Sequence, residues 1–181
     1  MAGDLSTQTV GPLTIRPAFN SDGDGLAALI ADVFDEYAGC VFDRAAEFPE
    51  LDAIADDFKS GDGRIWVAVD SADRVLGCFG IKYDVASHEA ELHKVYLHRS
   101  ARGQGIAQKL MAKALAWLGQ THGDCAHVML WTDTRFEAGH RFYEKCGFVR
   151  TGESRILDDL SNSSEIQFRF DFSAYQKALL L

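Results

Sequence analysis

The chain has 181 residues, 47% of them hydrophobic and 25% charged, which is typical of a single globular domain. A formal net charge of −9 argues against a nucleic-acid-binding protein, because such proteins carry basic patches. Residues 1–11 contain no basic residue and no apolar run, and no stretch approaches the ~18 apolar residues of a membrane helix, so we expect a cytoplasmic protein without a membrane partner. The four cysteines form no CxxC pair and the six histidines lack zinc-site spacing, so neither a disulfide framework nor a metal site is expected.

Hydrophobic periodicity and turn residues divide the chain into eleven elements with short connections. In chain order these are a strand at 13–17, helices at 26–33 and 51–58 separated by a loop at 40–49, a hairpin of 64–69 and 75–83, a strand at 90–97, a helix at 106–118, a strand at 127–131, a helix at 136–146, and strands at 148–153 and 165–172. This order is not the βαβα alternation of a doubly wound sheet.

The element order predicts an α+β fold with a mixed, mostly antiparallel sheet of six to seven strands flanked by about four helices. One strand–helix–strand unit, residues 90–131, should form a right-handed crossover between two parallel strands. We find no internal repeat or linker, so residues 1–181 are expected to form one domain.

The junction between the strand at 90–97 and the following helix carries the turn Arg102-Gly103-Gln104-Gly105. Two glycines let the backbone turn sharply and approach a ligand, and a helix N-terminus attracts phosphate groups. A P-loop would need Lys and Ser/Thr where the chain has Ile106-Ala107, and a dinucleotide fingerprint would need glycine at Gln108. Both patterns fail, which leaves a phosphate site of another kind or a purely structural tight turn.

Two motifs resolve this choice by resemblance. Arg102-Gly103-Gln104-Gly105-Ile106-Ala107 matches the Arg/Gln-x-x-Gly-x-Gly/Ala signature of the GCN5-related N-acetyltransferase (GNAT) superfamily. Downstream, Ala138-x-x-x-Phe142-Tyr143-x-x-x-Gly147-Phe148 resembles a second segment of that family. The succession of elements resembles the GNAT fold from about residue 12 to 172, with short tails at both ends.

The resemblance implies an acetyl-CoA-dependent enzyme that moves an acetyl group directly to a primary amine of a small molecule or peptide. The backbone N–H groups of five residues that follow Arg102 would receive the pyrophosphate: Gly103, Gln104, Gly105, Ile106 and Ala107. A CoA-binding sensor without transfer activity and a protein N-terminal acetyltransferase are the alternatives.

The family's fourth strand carries a bulge that frees backbone groups for the pantetheine arm. Leu92, Val95 and Leu97 break strict alternation here, as an inserted residue would. Val95, Tyr96 and Leu97 are therefore assigned to that contact. Many relatives also bind pantetheine through an asparagine where this chain has Arg135, which cannot accept a hydrogen bond. Arg135 is expected to bind a phosphate or an acidic substrate group instead, or to be a surface charge.

Tyr143 matches the family tyrosine that protonates the CoA sulfur, and its ordinary pKa of about 10 keeps it protonated at neutral pH. Packing on a helix face is the alternative role. Glu91 and His93 are the candidate general bases, since both project from one side of the strand if no bulge separates them. No base is needed where the amine arrives neutral.

The acceptor in this fold lies under the loop between the first two helices, where Tyr37, Phe42 and Asp43 are the candidate lining residues. Tyr37 and Phe42 could instead anchor the loop. The acidic chain favours a cationic acceptor or a protein amine. The apolar tail at 178–181 suggests a homodimer.

Overall fold

The computed structural model describes residues 11–179. Residues 1–11, whose lack of basic residues and apolar runs led us to expect a cytoplasmic protein, lie almost wholly outside this range, as do Leu180 and Leu181 of the apolar tail. Ala178 and Leu179 are exposed, and the homodimer stays a prediction. Among the described helices, none has the length and apolar character needed to cross a bilayer.

Seven strands and six helices make up the described chain. The strands are β1 (Thr14–Pro17), β2 (Gly63–Val69), β3 (Val75–Asp84), β4 (Glu89–Leu97), β5 (His127–Asp133), β6 (Val149–Ile156) and β7 (Ser164–Asp171). The helices are α1 (Gly23–Phe34), α2 (Arg44–Glu47), α3 (Ile54–Ser60), α4 (Ile106–Thr121), α5 (Glu137–Lys145) and α6 (Phe172–Leu179). Short 3₁₀ turns precede α1, α3 and α4.

The strands form one sheet in the order β1-β2-β3-β4-β5-β7-β6. Every neighbouring pair is antiparallel except β4 and β5, which are parallel, so the predicted parallel pair and the predicted fold class are both confirmed. Both faces of the sheet carry a hydrophobic core. Helices α4, α5 and α6 cover one face, and α1 and α3 cover the other.

Two expectations about the elements were wrong. The predicted loop at 40–49 contains α2, whose four residues are too few to show a helical period. Asp43 caps it by accepting a hydrogen bond from the Ala46 N–H at 3.0 Å. Helix α6, which begins at Phe172, was not predicted. The apolar alternation of β7 includes this first helical residue, so the sequence pattern does not show where the strand ends.

The predicted bulge in β4 is confirmed. His93 pairs with Gly80 and Tyr96 pairs with Cys78, so two residues of β4 lie opposite the single residue between these partners. One of the two, Lys94, has a left-handed backbone with φ of 53°. The bulge lies beyond His93, so Glu91 and His93 remain in regular register and on one face of the strand.

Candidate active site

The turn before α4 has an unusual backbone. Gly103 and Gly105 have φ values of 75° and 74°, a conformation that residues with a side chain rarely adopt. A Cβ at either position would meet no other atom within 4 Å, so the space beside the turn is open. The sequence therefore uses glycine here for the backbone conformation, and the turn leaves room for a ligand.

The same turn presents a row of free hydrogen-bond donors. The first backbone bond of α4 runs from the Lys109 N–H to the Gly105 carbonyl at 3.1 Å. Within residues 11–179, no acceptor takes the N–H groups of residues 103–108. Helix α4 has 16 residues, and the partial positive charge at its N-terminus adds to these donors. This arrangement fits a pyrophosphate.

Strands β4 and β5 separate beside this turn. They pair only through Glu89–Glu91 and His127–Met129, and then diverge. Two cavities of about 340 and 470 Å³ open at the split. After the roles that the sequence predicts for the residues beside them, we call the first, next to the glycine turn, the donor cavity (for the acetyl donor) and the second the acceptor cavity. Five residues line both cavities: Val95, Tyr96, Thr132, Phe136 and Tyr143. The two cavities therefore meet at the bulge and at α5.

Most of the predicted donor-binding residues line the donor cavity: Val95, Tyr96, Leu97, Arg102, Gly103, Gly105, Ile106 and Ala107. The Gln104 side chain is not among them, since its amide donates to the Ser100 carbonyl at 2.8 Å. The guanidinium of Arg102 donates to both Glu36 carboxylate oxygens, at 2.7 and 2.8 Å, and to the Leu97 carbonyl. Arg102 thus ties the turn to the segment that follows α1.

Arg135 does not reach either cavity. Its guanidinium is paired with the Asp133 carboxylate, with one contact of 2.5 Å, and it donates to the Ser163 hydroxyl at 3.2 Å. Although burial opposes the change, the Arg135 hydrogen bonds lower the pKa of Asp133 below its ordinary value. In this structure Arg135 therefore fastens β5 to the loop between β6 and β7, and its placement does not support the predicted contact with a phosphate.

Tyr143 lies where the two cavities join. It is 5% exposed and packs on Phe148 and Phe168. Its hydroxyl makes no hydrogen bond to any other residue from 11 to 179, although the side chain lines both cavities. Burial raises the pKa of Tyr143 above its usual range, so the hydroxyl keeps its proton at neutral pH. Tyr143 thus supplies core packing and, among residues 11–179, a hydroxyl without a hydrogen-bond partner.

Glu91 and His93 both line the acceptor cavity, with 3.8 Å between the His93 Nδ1 and a Glu91 carboxylate oxygen. Burial raises the pKa of Glu91 above its ordinary value. Burial, helped by the charges of Lys82 and Lys94, lowers the pKa of His93 to about 4. The imidazole is therefore neutral at pH 7 and free to accept a proton, although as a weaker base than an ordinary histidine.

Tyr37, Phe42 and Asp43, which were expected to line the acceptor site, do not line the acceptor cavity. Tyr37 lines the donor cavity, where its ring lies 4.6 Å from that of Phe136. Phe42 lines neither cavity and stacks on Phe48 at 5.2 Å, and Asp43 caps α2. From the chain between α1 and α3, the residues that line the acceptor cavity are instead Cys40, Glu47 and Phe48.

A second loop, between β6 and β7, meets the α1–α2 segment across the acceptor cavity. The Val41 N–H donates to the Ser161 hydroxyl at 2.8 Å, and that hydroxyl donates back to the Val41 carbonyl at 3.3 Å. The Leu160 N–H donates to the Glu47 carboxylate at 2.6 Å. We call this pair of contacts the bridge. It connects two walls of the acceptor cavity.

Sequence reasoning missed most of the charged lining of the acceptor cavity. Besides Glu91, five acidic residues line it: Glu47, Asp133, Asp158, Asp159 and Glu165. The cationic lining residues are Lys94 and Arg155, and Arg155 is already paired with Glu165 at 2.6 Å. In the sequence, the adjacent carboxylates Asp158 and Asp159, between the predicted strands at 148–153 and 165–172, were the available sign of a negatively charged surface. The cavity has an excess of negative charge, which suits a positively charged ligand.

Solved structures share this fold. The GNAT-family acetyltransferase of Staphylococcus aureus Mu50 has a TM-score of 0.75 at 18% identity, over 89% of this chain and 99% of that chain. An acetyltransferase of Streptococcus agalactiae 2603 has a TM-score of 0.72 at 18% identity, over 88% and 98%. The spermidine/spermine N-acetyltransferase SpeG of Vibrio cholerae has a TM-score of 0.63 at 17% identity, over 92% and 96%. At such identities the likeness is one of fold.

No curated protein matches the sequence. The sequence model described as the acetyltransferase (GNAT) family matches residues 30–148, which is more than half of the chain. That segment contains the bulged strand, the glycine turn and the tyrosine at the junction of the two cavities. The chain belongs to the GNAT family of acetyltransferases.

Proposed function

We propose that this protein, whose family implies use of an acyl-CoA, transfers the acetyl group of acetyl-CoA to a primary amine with a second positive charge. The observation that carries the proposal is the row of N–H groups at 103–108, which have no acceptor among residues 11–179 and lie beside a cavity that reaches Tyr143. Acetyl-CoA supplies a thioester carbonyl that an amine can attack directly. The N–H groups of the turn fit its pyrophosphate.

The residues at the junction of the cavities supply what direct transfer requires. A C–N bond forms and the C–S bond breaks, so the sulfur needs a proton and the amine must lose one. Tyr143 keeps its proton because burial raises its pKa, and its free hydroxyl is the general acid. His93, neutral at pH 7, or Glu91 accepts the amine proton from the acceptor side.

Charge and enclosure support a small cationic acceptor. Six carboxyl side chains and two cationic ones line the acceptor cavity, so a ligand with two positive charges is favoured over an anionic metabolite. The bridge between the α1–α2 segment and the β6–β7 loop encloses the cavity on that side, which favours a slender free amine over a residue of a folded protein. Among the structural neighbours, the SpeG protein is named a spermidine/spermine N-acetyltransferase.

The test is release of free thiol from acetyl-CoA across a panel of amines. The panel holds diamines and polyamines, monoamines, amino acids with a free carboxylate, and short peptides with a free N-terminus. We expect turnover with the di- and polyamines and at least about tenfold lower kcat/KM with monoamines of similar length, a difference of about 1.4 kcal/mol. Preference for the peptides would favour a protein N-terminal acetyltransferase. Acetyl-CoA binding without turnover of any amine would favour a CoA sensor.

A further inference from the structure

Lys94 occupies a strained place in the β4 bulge. Its φ of 53° lies in the left-handed region, which glycine adopts freely and a lysine does not. Such a conformation persists only when the surrounding structure holds it, and held strain of this kind concentrates at functional sites. Contacts of Lys94 must therefore keep the bulge in its observed shape.

Two contacts do so. The buried Cys78 thiol donates to the Lys94 carbonyl at 3.0 Å and fixes the main chain from β3. The Lys94 ammonium group pairs with the Glu50 carboxylate and lies 4.4 Å from the centre of the Phe48 ring. The side chains of Lys94 and Glu50 are only 19% and 23% exposed, so removing one charge would leave the other partly shielded from water and without its partner.

These contacts connect the two cavities. Glu50 belongs to the 3₁₀ turn Pro49–Ala53, next to Phe48, which is a wall of the acceptor cavity. On the other side, Lys94 is followed directly by Val95, which lines both cavities. The side chain of Lys94 thus joins the acceptor wall to the part of β4 that borders the donor cavity.

We propose that Lys94 is a positioning residue for the acetyl donor. Held by Glu50 and Phe48, it fixes the bulge so that the backbone of Val95–Leu97 faces the donor cavity and can bind the pantetheine arm. This inference rests on the proposed use of acetyl-CoA. No reacting atom needs to touch Lys94, since it acts through the main chain that follows it.

The test is calorimetric titration of acetyl-CoA into the wild-type protein and two matched variants. Lys94→Met keeps the aliphatic stem but removes the charge. Lys82→Met is the control, because Lys82 makes a similar contact on β3: it pairs with Asp57 at 2.8 Å and lies 4.9 Å from the Phe58 ring centre. We expect Lys94→Met to weaken acetyl-CoA binding about five- to tenfold, while Lys82→Met stays within about twofold of wild type.

Lys94→Arg should restore most of the lost affinity, because it returns a cation to Glu50 and Phe48. Melting temperatures of both methionine variants separate lost folding from lost positioning. Equal acetyl-CoA affinity in wild type and Lys94→Met overturns the inference, and so does an equal loss in Lys82→Met. If the wild-type protein itself binds no acetyl-CoA, the proposed function fails instead.

Discussion

At the scale of single residues, Tyr143 is the proposed general acid, and its position is well defined by packing. A buried tyrosine usually finds a hydrogen-bond partner for its hydroxyl. Here the ring is 5% exposed, while the hydroxyl has no partner among residues 11–179 and lies where the two cavities meet. The ring would be needed for packing in any case. A free hydroxyl at that place has no evident structural use.

Tyr143→Phe removes the hydroxyl and keeps the ring. We expect kcat to fall about 100-fold, within the range typical for loss of a general acid, while the affinity for acetyl-CoA changes less than about twofold. The melting temperature should hardly change, because no hydrogen bond is lost. Steady-state kinetics with a polyamine and calorimetry with acetyl-CoA measure both quantities. Full turnover in the variant would remove Tyr143 from the mechanism.

The expected pH dependence of kcat/KM follows in part from the lowered pKa of His93. Burial lowers its pKa to about 4, so the imidazole is already neutral above about pH 5 and its protonation state does not change across the neutral range. We expect kcat/KM for the amine to rise steadily from about pH 6 to 9 as the free amine loses its proton, with no inflection near 6.5. A pH profile of wild type and His93→Gln measures this. An inflection near 6.5 that disappears in His93→Gln would mean that burial does not shift this group.

At the scale of elements, the strand–turn–helix from β4 to α4 could be predicted from the sequence, because the residues that determine its shape lie next to one another in the chain. The glycines at 103 and 105 mark a backbone conformation, and the broken alternation after Leu92 marks the bulge. Helix α2 and the start of α6 could not be predicted from the sequence. Four residues are too few to show a helical period, and β7 passes into α6 without a break in the apolar alternation.

At the scale of the whole molecule, the acceptor cavity escaped sequence reasoning because distant segments build it. In the bridge, Leu160 donates to Glu47 and Ser161 to Val41, and more than a hundred residues separate the two partners in each case. No motif marks such a contact. The surroundings of Arg135 depend partly on the same loop: beside its near neighbour Asp133, it contacts Ser163, which folding brings next to it. The net charge of the chain predicted the sign of the charge that lines this cavity, but not which residues carry it.

The proposed function depends most on the turn at 102–105 being a phosphate cradle, that is, a site whose backbone N–H groups bind the pyrophosphate of acetyl-CoA. Calorimetry of acetyl-CoA with two aspartate variants tests this most directly. Aspartate tolerates the left-handed backbone, as Asp62 and Asp73 show here with φ of 48° and 56°. Gly105→Asp would place a carboxylate in the cradle. Gly152→Asp also places an aspartate at a positive φ, on β6, where φ is 90° and the space is also open.

We predict that Gly105→Asp weakens acetyl-CoA binding at least about tenfold, because a carboxylate repels the pyrophosphate. Gly152→Asp should bind acetyl-CoA as the wild type does. Wild-type affinity in Gly105→Asp, or the same loss in both variants, would contradict the assignment of this turn to the acetyl donor.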